Sequence, residues 1–386
     1  MNYPTYLDYN ATTPVDQRVL DAMLPYLTTH FGNAASRTHV YGLKAEEAVD
    51  QARRQLADLL GAHPVEMVFT SGATESINLA LKGVFEANQH RGNHIITVQT
   101  EHKAVLDTCE HLAQLGADVT YLQPDATGLI SPGQLAAVLT PQTVLVSVMW
   151  GNNETGVIQP ITELAQLTHE HGALFHTDAT QAVGKLPINL ASVPIDLLSL
   201  SGHKLYAPKG IGALFVRRKT PIIAQQDGGR HERGRRSGTL NVPGIVALGA
   251  AAELAGSLLD TDAQRLTALR DRLETGIRTY PATADVRLNG HPQHRLPNTL
   301  NLAFPDLDGE LLLMSLNQIA VSNGSACNAA STDPSHVLTA MGLPSDLAYA
   351  SVRFSLGRFT TEADIDLSIR HVTDVVENLR VMMTRG

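Results

Sequence analysis

Short, almost unbroken apolar runs alternate with longer amphipathic segments along most of this chain. Seven of the runs are β-like, at residues 67–70, 94–98, 119–122, 144–150, 173–177, 195–200 and 211–216. A stretch such as Val144-Leu145-Val146-Ser147-Val148-Met149 is apolar at nearly every position, which is the pattern of a strand covered on both faces. Strands separated by helical patterns predict an α/β fold built on a mostly parallel, doubly covered, seven-stranded sheet. Two helical patterns follow, over 242–257 and 262–279, and between them the chain is expected to leave the first domain. Further runs at 298–304, 319–322 and 351–355 alternate with helices in a smaller C-terminal α/β unit. The expected organisation is a large domain over residues 15–258 and a small domain formed by 1–14 with 259–386.

Composition removes several classes of function. The chain has 386 residues, 43% of them hydrophobic and 17% charged, and a formal net charge of −9. That balance argues against a direct nucleic-acid binder, which needs a basic face to neutralise phosphates. No uninterrupted apolar run approaches the roughly 20 residues that span a bilayer, and Met1-Asn2-Tyr3-Pro4 opens without a charged leader. These features predict a cytoplasmic protein with no membrane partner. Only Cys109 and Cys327 occur, too few for a disulfide scaffold. Cys109 has Val105, Leu106 and Leu112 at helical spacing and reads as core, whereas Cys327 lies in the small, polar stretch Ser322-Asn323-Gly324-Ser325-Ala326-Cys327-Asn328 and reads as reactive. Among the 16 histidines none shows metal-ligand spacing, so no metal is expected.

The chemistry concentrates at strand ends. Lys204 closes Ser201-Gly202-His203-Lys204 directly after one apolar run, and Asp178 ends the run before it. A lysine so placed can form a Schiff base with an aldehyde cofactor, and a neighbouring aspartate can keep a pyridine nitrogen protonated. Together they predict a pyridoxal 5′-phosphate site. Its phosphate needs a cradle, and Ser71-Gly72-Ala73-Thr74 follows a strand and opens a helix, whose N-terminus favours anions. Arg353, set between apolar residues in Ser351-Val352-Arg353-Phe354-Ser355, suits a two-point grip on a carboxylate.

The motifs TSGATES, TEHKAV, NNETG, DATQAVGKLP, SGHKLYAPKGIGAL, HERGRRSGTLN, SNGSACNAAS and SVRFSLGRFT, with Tyr6-Leu7-Asp8-Tyr9-Asn10-Ala11-Thr12-Thr13-Pro14 before them, resemble those of cysteine desulfurases of the NifS/IscS type. The resemblance runs from about Tyr6 to Thr361. It implies a fold-type I enzyme of the class-V aminotransferase group, a homodimer that takes sulfur from L-cysteine, releases L-alanine and holds the sulfur as a persulfide on Cys327. It implies further that Lys204 binds the cofactor, Asp178 faces the ring nitrogen, Gln181 donates to the ring's phenolic oxygen and His102 stacks on the ring and carries protons. Ala73, Thr74, Ser201 and His203 would hold the phosphate, with Thr239 reaching the phosphate of the neighbouring subunit. Asn153 would lie beside ring and substrate, and Arg353 and Asn33 would take the substrate carboxylate. The sulfur acceptor would be an iron–sulfur scaffold or a tRNA thiolation enzyme.

Three departures from the family pattern stand out: Arg230 in place of a glycine, Gly151 in place of a bulkier residue and Asn328 in place of a small hydroxyl residue. The chain also ends without the tail that housekeeping members use to dock a scaffold. Two other functions fit the same fold. An aminotransferase or a C–S or selenocysteine lyase would use the same cofactor residues without needing Cys327. A non-catalytic scaffold that binds the cofactor would have no call to keep Lys204, Asp178, Arg353 and Cys327 together.

Overall fold

The computed structural model describes residues 3–323 and 334–385. A short strand, β1 (Thr5–Tyr6), precedes β2 (Met67–Thr70), β3 (His94–Val98), β4 (Asp118–Leu122), β5 (Thr143–Ser147), β6 (Leu174–Asp178), β7 (Leu197–Ser201) and β8 (Gly212–Val216). The last four are β9 (Arg287–Leu288), β10 (Thr299–Ala303), β11 (Ile319–Ala320) and β12 (Ser351–Ser355). Strands β2 to β8 form one seven-stranded sheet in the order β2-β8-β7-β6-β5-β3-β4. Only β8 runs against its neighbours, so the other six point the same way.

The near-continuous apolar runs are explained by what covers the sheet. Phe69, Ile96, Val146, Phe175, Leu198 and Phe215 pack into a core on one face. Val68, Ile95, Leu145, Leu197 and Leu214 pack into a second core on the other, under helices Ala73–Asn88 and Lys103–Gln114. Each strand therefore needs apolar side chains at both parities. Cys109 is buried in that second core, and burial, with the Glu101 carboxylate nearby, pushes its thiol up to about 12. It is a packing residue.

A third core gathers Leu7, Leu300, Leu302, Val352, Phe354 and Val372 around the antiparallel sheet β12-β10-β9. The N-terminus joins it, because β1 pairs in parallel with β11. The two helical patterns that bridge the cores are continuous. The patterns 242–257 and 262–279 are a single helix, Val242–Arg278, of 37 residues, about 55 Å long at 1.5 Å per residue. Ser257-Leu258-Leu259-Asp260-Thr261-Asp262 contains no glycine or proline, so nothing breaks the helix. What changes is the buried face: Ile245, Leu248 and Ala252 enter the first core, whereas Leu266, Leu269 and Leu273 enter the third. By length and composition the same helix is apolar enough to cross a bilayer, which the count of uninterrupted apolar residues missed. Half of its most apolar window is buried within the protein.

Within the large sheet, His176 joins three strands: its Nδ1 meets the Ser147 hydroxyl at 2.8 Å and its Nε2 the Ser199 hydroxyl at 2.9 Å. Burial holds its pKa down to about 3. An unfolded chain takes up this proton near pH 6.5. Between that pH and about 3 the unfolded state binds more protons, so stability falls as pH falls, by up to a few kcal/mol. Denaturant midpoints measured from pH 7 to pH 5 should show this fall. His176→Asn, though less stable at pH 7, should show a shallower one; an equal slope would remove His176 as the cause.

Candidate active site

Six strands pointing one way put their carboxyl ends along one edge, and loops at such an edge form the usual ligand crevice of an open α/β sheet. The loops after β2, β3, β5, β6 and β7, with β12 from the other unit, enclose a cavity of about 510 Å³. Ten of the residues singled out from the sequence line it: Ala73, Thr74, His102, Asn153, Asp178, Gln181, Ser201, His203, Lys204 and Arg353. Thr239 and Asn33 do not. Thr239 is exposed, in a segment tied to the cavity rim by the Arg236–Glu75 ion pair at 2.7 Å. Asn33 is also exposed, and its side-chain oxygen accepts from the Ala35 amide at 2.9 Å, closing a local turn. Cys327 and Asn328 lie outside the described residues.

Lys204 sits in the tight turn Gly202–Lys204 after β7. Its ammonium donates to the main-chain oxygens of Asn10 and Ala11, the latter at 2.6 Å. Asp178 is the last residue of the adjacent strand, in register with Ser199, buried, and held by the Thr180 amide at 2.9 Å. Beyond it, the Gln181 amide donates to the Asn10 oxygen at 3.0 Å and accepts from Lys185 at 2.7 Å. His102 caps helix Lys103–Gln114, its Nδ1 accepting from the Ala104 amide at 3.1 Å. A neutral ring that accepts at Nδ1 carries its proton on Nε2.

The anion cradle is the start of helix Ala73–Asn88. Its cap is Gly72, which offers no side-chain hydrogen bond, so the first amides of the helix remain for another acceptor. The turn packs tightly on β8: a Cβ on Gly212 would come within 2.6 Å of the Gly72 Cα. His203 borders the cradle with Nδ1 at 3.1 Å from the Thr12 hydroxyl. Burial, then the charges of Lys204, Lys209 and Lys185, hold its pKa down to about 4. By itself the ring is therefore neutral near pH 7.

Opposite stands Arg353, on β12 and buried. Its Nη2 donates to Asp8 Oδ1 at 2.6 Å and its Nη1 to the Asn153 oxygen at 3.0 Å. The two contacts fix the guanidinium plane, and each of these nitrogens keeps a second N–H. Nearby, the side-chain oxygen of Asn153 is buried with no partner among the described residues. The segment beyond Ser322 starts from the same place, because Arg353 donates its main-chain N–H to the Ser322 oxygen at 2.7 Å. Where the chain is next described, the Ser335 hydroxyl donates to Glu154 at 2.5 Å and His336 meets the Glu101 oxygen at 3.0 Å.

Several participants had no assigned role in the sequence reading. Asn10 accepts from both Lys204 and Gln181 through its main-chain oxygen, a role any residue type can fill. Asp8 orients Arg353; it lies in the quoted N-terminal motif, but its partner is 345 residues away. Of the departures, Arg230 has φ 57°, the left-handed conformation in which glycine is unstrained. A Cβ on Gly151, which lines the cavity, would press to 3.1 Å from the Leu296 side chain. Among the described residues no group of three or more His, Cys, Asp or Glu is placed to hold a metal ion.

The donor set fits pyridoxal 5′-phosphate. A lysine, a buried carboxylate one strand away and an uncapped helix N-terminus match an aldehyde, a ring nitrogen and a phosphate in turn.

Comparisons with known proteins agree. The family profile described as Aminotransferase class-V matches residues 5–367. A protein named cysteine desulfurase IscS from Anaeromyxobacter dehalogenans (strain 2CP-C) is 53% identical over 384 residues, covering 99% of this chain and 95% of that protein. The protein of the same name from Escherichia coli (strain K12 / DH10B) is 53% identical over 384 residues, covering 98% and 94%. Among solved structures, a NifS-like protein superposes with TM-score 0.91 at 37% identity, covering 97% of this chain and 100% of that one. SspA in complex with cysteine superposes with TM-score 0.81 at 40% identity, covering 92% and 100%.

Proposed function

The chain belongs to the class-V aminotransferase family, and from that premise we propose that it is a pyridoxal-phosphate-dependent cysteine desulfurase, converting L-cysteine to L-alanine. The observation that carries this reading is the meeting of Lys204, Asp178 and Arg353 in one cavity, beside near-full-length identity to proteins bearing that activity as their name. A guanidinium facing a lysine across such a cavity suits an α-amino acid, whose carboxylate and amine must be gripped at once.

Pyridoxal 5′-phosphate supplies an aldehyde that captures an amine and a ring that withdraws electrons from the carbon bearing it. Each remaining task falls to a residue of the chain. Arg353 takes the substrate carboxylate through its two remaining outer N–H groups, with its plane set by Asp8 and the Asn153 oxygen. Asp178 would hold the ring nitrogen of the cofactor with its negative charge. Lys204, which would anchor the cofactor, is the base placed to take the proton from the substrate Cα. His102 donates from Nε2, and its Nδ1 is occupied. Cys327 attacks the substrate sulfur as thiolate: the carbon–sulfur bond breaks, a sulfur–sulfur bond forms, and the net change is cysteine plus thiol to alanine plus persulfide. The persulfide then passes to an acceptor protein, an iron–sulfur scaffold or a tRNA thiolation enzyme, in the cytoplasm.

The active unit is a homodimer in which Thr239 reaches the partner's phosphate cradle. Its exposure, and its absence from its own chain's cavity, support this. Alanine and sulfide released from L-cysteine in the presence of a reductant should match one for one; pyruvate in place of alanine would make the protein a lyase instead. In the same assay Arg353→Lys should raise KM about ten-fold, the loss of one charge-assisted hydrogen bond, and leave kcat within a few-fold. An unchanged KM would take Arg353 out of the substrate site.

A further inference from the structure

Lys185 has no role in the chemistry above, yet it lies against the site. It borders a small cavity that Lys204 also lines, and its ammonium donates to Gln181 Oε1 at 2.7 Å. Among the described residues no carboxylate pairs with it. Asp262, which lines the same cavity, is engaged by Arg358 at 3.2 Å, and the Tyr9 and Tyr206 phenols there have raised pKa values. Burial, followed by the charges of Lys204 and Arg353, lowers the Lys185 pKa to about 7. A lysine left so exposed to neighbouring cations needs a reason to be there.

The reason lies in the amide it holds. Gln181 Nε2 donates to the Asn10 oxygen, which can only accept, while Lys185 can only donate to Oε1 when charged. Flipping the amide would set donor against donor and acceptor against acceptor. The two contacts thus lock one orientation, in which the second N–H of Nε2 remains for the cavity that Gln181 lines.

We propose that Lys185 is a positioning residue which, through Gln181, presents an amide N–H to the phenolic oxygen of the cofactor ring and so sets the protonation midpoint of the Lys204–cofactor linkage. The proposal rests on the cofactor assignment made above. An amide donor stabilises the deprotonated ring oxygen and thereby weakens that oxygen's hold on the linkage proton. Losing the donor strengthens the hold. A neutral Lys185 amine can still donate, so the effect does not need the charge.

The test is a spectrophotometric pH titration of substrate-free holoenzyme. Lys185→Met, which keeps the length of the side chain, should raise the midpoint by about one pH unit, and Lys185→Arg should restore it to within a few tenths. In a Gln181→Leu background, Lys185→Met should move the midpoint by less than half as much. An unmoved midpoint in Lys185→Met, with the linkage present and reducible by borohydride, overturns the proposal alone. So does an equal shift in both backgrounds, which would assign the effect to charge. Absence of any reducible linkage at Lys204 in the parent protein overturns the proposal together with the cofactor assignment.

Discussion

Replacing Cys327 by serine should abolish alanine formation, with turnover down about a thousand-fold or more, while the protein still binds its cofactor and changes colour on adding cysteine. A hydroxyl at neutral pH presents almost no alkoxide, and oxygen cannot store sulfur as a persulfide. Nothing before the sulfur transfer calls on this thiol, because substrate capture uses Lys204 and Arg353. The control is Cys109→Ala, which removes the other thiol from the core and should cost some stability but little activity. Mass spectrometry of each variant after incubation with cysteine would show where the extra sulfur sits. Equal loss of activity in both variants would sink the division into one packing thiol and one reactive thiol.

Lys204→Ala should be as severe for a different reason. The purified variant should lose the borohydride-reducible linkage and fall at least about a hundred-fold in turnover, the lower end of what a positioned proton carrier contributes. Cofactor affinity should suffer less, since the helix N-terminus, Asp178 and the donors around the cradle remain. Small added amines should recover part of the proton transfer. Normal turnover in this variant would remove Lys204 from the site.

Much of the site was legible because its residues sit where strands stop. Asp178 and Ser201 end apolar runs, and Lys204 and His203 follow within three residues of Ser201, so the hydrophobic pattern itself pointed at them. Arg353 was legible for the opposite reason, as a charge inside an apolar run. The contacts that orient these groups were harder to see. Asn10 acts through its main-chain oxygen, Asp8 meets Arg353 from the far end of the chain, and Lys185 works through another side chain. Asn33 does not line the cavity, and its side-chain oxygen closes a local turn. The sheet was legible in number and approximate extent, since burial on both faces demands unbroken apolar runs. That the patterns 242–257 and 262–279 are one helix was not legible, because a helix can change which face it buries without ceasing to be a helix.

Because both cores pack on that uninterrupted helix, the protein's two halves are expected to melt together. Lys204 stands on the large sheet and Arg353 on the smaller one, and the cores behind them both pack on Val242–Arg278. Melting either core strips the apolar stripe from one end of a shared rod, and an isolated helix of this kind is marginal without such packing. Loosening therefore spreads from one half to the other instead of stopping at a linker. A calorimetric trace should contain one cooperative transition, with the grip on the substrate carboxylate and the anchor for the cofactor lost at the same temperature.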